Sequence, residues 1–245
     1  METLLDFSTV PGKESYKPGS EETNRFFYIS IATEGCQEEV EYLNYINSIV
    51  DSKKVTKLKI IILNEFYKDS DKAKSDSHPK KRFEIIREWK QEIEDVEMDG
   101  DEDWLVCDRD NQSFKEDQYD ELMNKAKQDN VKVVISNPAF QIWLLFHFVS
   151  DLSYLELDSI QRSKDRLIKV EDSLREKVPG YKHGSLNGKM GCFTQRIRNA
   201  IDNSRRDLNP LDLKQLKTKS GTNFSELLLS IEKWSGEKLY NGVDV

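Results

Sequence analysis

The chain has 245 residues, of which 37% are hydrophobic and 33% charged, with a formal net charge of −8 at neutral pH. That length suits one large domain, or one domain with a substantial appendage. The acidic balance excludes coating of nucleic acid by bulk charge, though not engagement through a metal and a local basic patch; and since no run approaches the roughly 18 apolar residues of a membrane span and no secretory leader is evident, a cytoplasmic protein without membrane contact is expected.

Residues 1–24, with Pro11, Pro18 and scattered charge, predict a poorly ordered arm. Arg25 to Thr33 is rich in β-branched and aromatic residues and predicts a buried strand. It runs into Glu34-Gly35. Val40, Leu43, Ile46 and Val50 then give residues 37–50 helical spacing. Two readings of Glu34 are open: a carboxylate favoured by the dipole of the following helix, or a catalytic group. Val55 to Leu63 predicts a second strand, 64–81 a polar loop, and 80–97 a helix through Phe83, Ile86, Trp89 and Ile93. The acidic stretch from Glu92 to Asp103 predicts a solvated helix end and a loop.

Trp104-Leu-Val-Cys107 predicts a third strand, ending abruptly in Asp108-Arg109-Asp110. Two carboxylates one residue apart at a strand's carboxyl end are placed to hold a divalent cation. The competing reading is a polar strand-to-helix turn, with Asp110 or Asn111 capping the next helix. That helix is predicted at 114–128, with Tyr119, Leu122, Met123 and Ala126 inward. Val131 to Ile135 predicts a fourth strand, ending in Ser136-Asn137-Pro138. Ala139 to Val149 is strongly apolar and predicts a buried helix with Pro138 at its first position. Gln141 and His147 are its polar members, and His147 reads best as a hydrogen-bonded core histidine.

Beyond residue 150 helices are predicted at 159–174, 189–204 and 223–234, with no convincing strand. The domain reading is an α/β half at 25–150 and a helical half at 151–245 packed on it. Between Gly180 and Lys219 basic residues outnumber acidic ones; the stretch is either a phosphate-contacting surface or a solvated helix face. Cys36, Cys107 and Cys192 are odd in number and far apart, which suggests free thiols in a reducing compartment. If the four strands are parallel, Glu34, Asn64 or Glu65, Asp108 with Asp110, and Ser136-Asn137 all converge on one edge. Such a set suits metal-assisted phosphoryl chemistry.

These motifs resemble the RloB-like family of the Toprim superfamily. Tyr28-Ile-Ser-Ile-Ala-Thr-Glu34-Gly35, followed by Glu39 and Tyr42, is similar to the family's strand-Glu-Gly opening and its Glu-x-x-Tyr continuation. Val106-Cys-Asp108-Arg-Asp110 resembles its Asp-x-Asp strand. Ser136-Asn137-Pro138-x-Phe140-x-x-Trp143-Leu-Leu-x-His147-Phe148 resembles its most distinctive signature. Tyr181-Lys182 and Thr222-Asn223-Phe224 resemble its closing motifs. The resemblance implies a Toprim-like Rossmannoid core with a mainly parallel sheet, followed by a helical C-terminal half. It implies a metal-dependent nuclease of bacterial anti-phage defence acting on DNA or RNA, often beside an ATPase partner. Glu34, Asp108 and Asp110 would then be catalytic and hold Mg²⁺ or Mn²⁺, with Lys182 as a stabilising cation. Glu39, Ser136, Asn137, Gln141, His147 and His183 would stand behind them or meet substrate.

Two departures matter. The signature's glutamate is Gln141, whose amide can coordinate through oxygen but brings no charge and cannot act as a base. The family's lysine two residues after the C-terminal tyrosine is His183, with Lys182 beside it. A second expectation therefore stands beside the first: a non-catalytic subunit on this scaffold that binds an ATPase or nucleic acid.

Overall fold

The computed structural model describes residues 27–35, 37–52, 58–66, 79–94, 102–110, 114–206, 209, 212–236 and 238–239. The expected N-terminal arm, Cys36 and Asn111 lie outside these. Phe27–Thr33 forms strand β1, Leu58–Ile62 β2, Glu102–Asp108 β3, Val131–Asn137 β4 and Gly221–Thr222 β5. They make one sheet in the order β2-β1-β3-β4-β5. The first four are parallel, and β5 runs antiparallel to β4. The fold is α/β.

The strands read as near-continuous apolar runs because both faces of the sheet are covered. Successive residues point to opposite faces. On one face Ile29, Ile31, Trp104, Val106 and Val134 pack under helix α1 (Glu38–Ser52) and α5 (Gln141–Phe146). On the other, Tyr28, Ala32, Leu105, Cys107, Val133 and Ile135 pack with α3 (Pro79–Glu94) and α4 (Glu116–Gln128). A four-residue helix α2 (Leu63–Phe66) follows β2 directly.

The helical second half shares the first of these cores. Val170 and Leu174 of α6 (Ser163–Lys177), Phe193 of α7 (Met190–Thr194) and Ile197 and Ile201 of α8 (Ile197–Ser204) pack into it. So do Phe224, Leu228 and Ile231 of α10 (Phe224–Ser235), which follows the short α9 (Leu213–Leu216).

Strand order decides where the chemistry sits. β1 lies between β2 and β3, so the chain leaves it for one side and later returns to the other. The order reverses between β1 and β3, and the crevice beyond their carboxyl ends is where such sheets bind ligands.

The structure corrects several expectations. Glu102 and Asp103 belong to β3, not to a loop, and Asp103 is buried, bonded to the Ser30 hydroxyl and paired with Lys90 at 3.0 Å. A partnered carboxylate tolerates a strand interior that its charge alone argues against. Asp110 does not cap α4: the helix starts at Glu116 after Lys115, and the Asp110 carbonyl accepts from the Phe114 N–H at 2.8 Å. Pro138 lies outside α5, with a cis bond from Asn137, and the helix is confined to Gln141–Phe146. The expected helix at 189–204 is two, α7 and α8. The C-terminal half does contribute a strand, β5, whose two residues are too few to leave a periodic signal.

Candidate metal and active site

The carboxyl ends of β1 and β3 are stitched together by Glu34. Its N–H donates to the Val106 carbonyl at 2.8 Å. Its Oε2 accepts from the Asp108 N–H at 2.9 Å. Asp108 continues the face of Trp104 and Val106, so it points toward α1 and α5. Arg109 points the opposite way, with its guanidinium on the Phe114 carbonyl and 5.5 Å from the Tyr119 ring centroid. Alternation along one strand thus separates the acid from its neighbouring base.

The first turn of α1 brings more acid to the same place. Glu38 and Glu39 are buried there, while Glu34, Asp108 and Asp110 are half-buried. The Glu39 carboxylate lies over Gly35 so closely that a Cβ at position 35 would collide with it. Burial raises the Glu34 carboxyl to about 8, and the charges of Glu39 and Asp110 add to this; the Asp108 N–H and Arg82 oppose it. Glu39 is pushed up to about 7 by burial, with Glu38 adding. Asp108 is raised well above the usual range by burial and then by Glu39 and Glu34. Glu38 is also raised by burial, against hydrogen bonds from Tyr181 and Gln141. This is a pocket of oxygen donors short of positive charge.

Glu38 sits at the centre of a second set of contacts that ties the C-terminal half to the site. The Tyr181 hydroxyl donates to its Oε1 at 2.7 Å, and the Gln141 amide donates to Oε2. His183 Nδ1 stands 2.9 Å from Glu171 Oε1 and 3.4 Å from the Gln141 amide nitrogen. Lys182 and Ser185 bridge across a tight turn whose Gly184 has φ +86°, a conformation that favours glycine. Glu41 fastens this turn to α1 by accepting from the Leu186 N–H at 2.5 Å. The Gln141 Oε1 is buried and has no hydrogen-bond partner.

The candidate residues therefore fall into two groups. Glu34, Glu39, Asp108, Asp110, Gln141 and His183 belong to the acidic crevice or its rim. Lys182 is exposed on the turn, with no side-chain hydrogen bond or ion pair among the described residues. Ser136, Asn137 and His147 hold the fold. The Ser136 hydroxyl pairs with that of Thr222 at 2.9 Å, and the Asn137 amide donates to the Leu216 carbonyl at 3.0 Å. His147 lies between the Tyr42 hydroxyl on Nε2 and the Trp143 carbonyl on Nδ1, each at 3.1 Å. Burial lowers it to about 3, so it is a neutral core histidine at physiological pH. Asn64 is equally structural, its amide bonded to both the N–H and the carbonyl of Thr33.

Two residues escaped the sequence reading. Glu38 had a signal: three acids in the first turn of α1, Glu38, Glu39 and Glu41, exceed what a helix dipole asks for. Arg82 had none, because Lys80-Lys81-Arg82 reads as a solvated helix start. Only its burial, and its effect on Glu34, set it apart.

The basic stretch is mostly spent on the protein itself. Arg198 pairs with Asp202 at 2.9 Å, Arg205 with Glu226 at 2.8 Å and Lys217 with Asp120 at 2.8 Å. Arg196 lies 5.2 Å from the Phe148 ring centroid. These contacts favour the solvated-face reading for those four residues.

Hard oxygen donors are the set that Mg²⁺ or Mn²⁺ takes. The crowded carboxylates and the unpartnered Gln141 oxygen fit such an ion chemically. Among the described residues, no three His, Cys, Asp or Glu side chains already stand in a ligating group. No helix among them is long and apolar enough to cross a membrane. The fold and crevice define an α/β protein with an acidic centre at the reversal of its strand order. The chain matches the RloB-like protein family over residues 29–231 and belongs to it. No curated protein and no solved structure matches it.

Proposed function

We propose that the chain is a divalent-cation-dependent nuclease, hydrolysing phosphodiester bonds in DNA or RNA as part of bacterial anti-phage defence on a Toprim-like core. The observation that carries this is the gathering of Glu34, Glu38, Glu39 and Asp108, with Asp110 beside them, at the β1/β3 crevice, each of the four raised by burial and all but Glu38 by carboxylate repulsion as well. Glu34, Asp108 and Asp110 would hold Mg²⁺ or Mn²⁺, with Glu39 and the Gln141 oxygen close by. The ion would polarise a phosphate oxygen and acidify a water. The charge of Arg82 partly offsets the rise of the Glu34 carboxyl. Tyr181 and Gln141 fix the orientation of Glu38, and the 182–185 turn brings His183 to the rim. The defence role and an ATPase partner rest on the family resemblance.

A specific observation favours the second reading, a non-catalytic subunit that binds an ATPase or nucleic acid. The Gln141 amide and the Tyr181 hydroxyl already satisfy Glu38, and no ready ligating group is present among the described residues. Calorimetric titration of Mg²⁺ and Mn²⁺ into the wild type and into Asp108→Asn/Asp110→Asn separates the two. The nuclease reading expects saturable binding that the double variant loses, together with metal-dependent cleavage of a mixed DNA and RNA pool. No binding in the wild type, with or without an oligonucleotide, favours the scaffold reading.

A further inference from the structure

A second cavity lies away from the carboxylates, at the far end of α5. Gln141 begins that helix at the acidic crevice, and Phe146 ends it at a cavity of about 700 Å³. This is the size of a pocket for a small organic ligand. Its walls differ in chemistry. Phe146, Leu152 and Leu157 supply an apolar surface. Arg206, Lys219 and the Ser220 hydroxyl supply donors. Asp151, Glu156 and Asp158 supply acceptors, with Asp158 next to Ser220.

Two details mark Arg206 and the Ser220 hydroxyl as available. The Arg206 guanidinium has no hydrogen bond or ion pair among the described residues, unlike Arg198, Arg205 and Lys217 nearby in the chain. The Ser220 Oγ is buried and has no hydrogen-bond partner, a cost that a bound acceptor removes. The Ser220 backbone is meanwhile fixed, its N–H donating to Asp158 Oδ1 at 2.7 Å. Asn203 ties the cavity to α5 by donating to the Phe146 carbonyl at 2.9 Å. Glu156 is held in a left-handed conformation, φ 49°, between two short turns at the rim.

We infer that this cavity binds a phosphorylated nucleotide. The phosphate meets Arg206, Lys219 and the Ser220 hydroxyl. The heterocycle lies against Phe146, Leu152 and Leu157, and the sugar hydroxyls donate to Asp158 or Glu156. The nucleotide is either a free mononucleotide or the 5′-phosphorylated end of a strand, and the chemistry is shared. The inference does not depend on cleavage at the carboxylates.

The test uses the full chain and isothermal titration with AMP, adenosine, inorganic phosphate and a 5′-phosphorylated tetranucleotide. Saturable binding of AMP or the tetranucleotide is expected, with adenosine and phosphate each at least tenfold weaker. Whichever of the first two binds identifies the source. Arg206→Gln, an exposed position that should leave the melting temperature unchanged, is expected to weaken binding about tenfold, and Ser220→Ala to weaken it less. Asp108→Asn/Asp110→Asn should leave it unchanged. No saturable binding by either nucleotide overturns the inference, as does phosphate binding as tightly as AMP. An affinity indifferent to Arg206→Gln, or one lost with Asp108→Asn/Asp110→Asn, places the ligand elsewhere and also overturns it.

Discussion

Gly35 accommodates the Glu39 carboxylate only because it carries no Cβ. Gly35→Ala pushes against the flexible end of a side chain rather than against backbone. The variant is expected to melt within a few degrees of the wild type while binding Mn²⁺ at least fivefold more weakly; thermal scans and calorimetry check both halves. Gln141→Glu is the complementary change. It sets a carboxylate against Glu38 in place of an amide donor. Without metal it should lower the melting temperature at pH 8 more than at pH 5, and added Mn²⁺ should restore more of it than in the wild type. If the ion restores nothing, position 141 is not part of a cation site. At this scale the sequence exposed the residues with a positional logic. Glu34 and Asp108 end apolar strands, and both face the crevice. Glu38 could not be told from its neighbours Glu39 and Glu41 by spacing alone, since all three share a helix turn. Its meeting with Tyr181 spans 143 residues, which no local pattern encodes.

The elements rest on an aromatic cluster and on one asparagine. Trp143 is fully buried and packs 4.9 Å from Phe224 and 6.2 Å from Tyr42, ring centre to ring centre. Trp143→Ala should cost about 3–5 kcal/mol in urea unfolding. Asn223 imitates a strand: its Oδ1 accepts from the Ile135 N–H at 2.7 Å and its amide donates to the Val133 carbonyl at 2.9 Å. Asn223→Ala strips both bonds from the buried edge of β4, at about 2–4 kcal/mol for two unsatisfied groups. A loss below about 0.5 kcal/mol in that variant contradicts the strand-mimic role. Most of the elements were legible because buried parallel strands are apolar throughout and helices repeat every three to four residues. The misplaced start of β3 has one cause. Glu102 and Asp103 break local rules and are accommodated by partners distant in sequence: Asp103 by Lys90 and Ser30, and Glu102 by Lys132 at 2.6 Å and by Ser230.

Across the whole molecule the acidic crevice should govern how stability follows pH. In the folded chain Glu34 and Glu39 are pushed up to about 8 and 7, from an ordinary value of 4.5. Between pH 4.5 and 8 the folded state therefore binds more protons than the unfolded one, and stability falls as pH rises through that window. Melting temperature should be higher at pH 5 than at pH 8. The difference should shrink in Glu34→Gln/Glu39→Gln and with saturating Mn²⁺. A flat profile from pH 5 to 8 in the wild type rules out the raised carboxyls. His147 works in the other direction between about pH 6.5 and 3: lowered to about 3 from 6.5, it adds stability that is complete above pH 6.5 and lost as pH falls toward 3, so at pH 5 it offsets part of what the carboxyls contribute.

The pairing of β4 with β5 also has a consequence in time. Ser136 waits for Thr222, and Ile135 for Asn223, 88 positions further along the chain. A ribosome adding about 5–20 residues each second leaves that strand open for several seconds. During that interval β4, paired with β3 along one edge, exposes an apolar ladder along the other. Chains released before residue 221 should accumulate as aggregates, and a separately supplied C-terminal segment, present during synthesis, should rescue them.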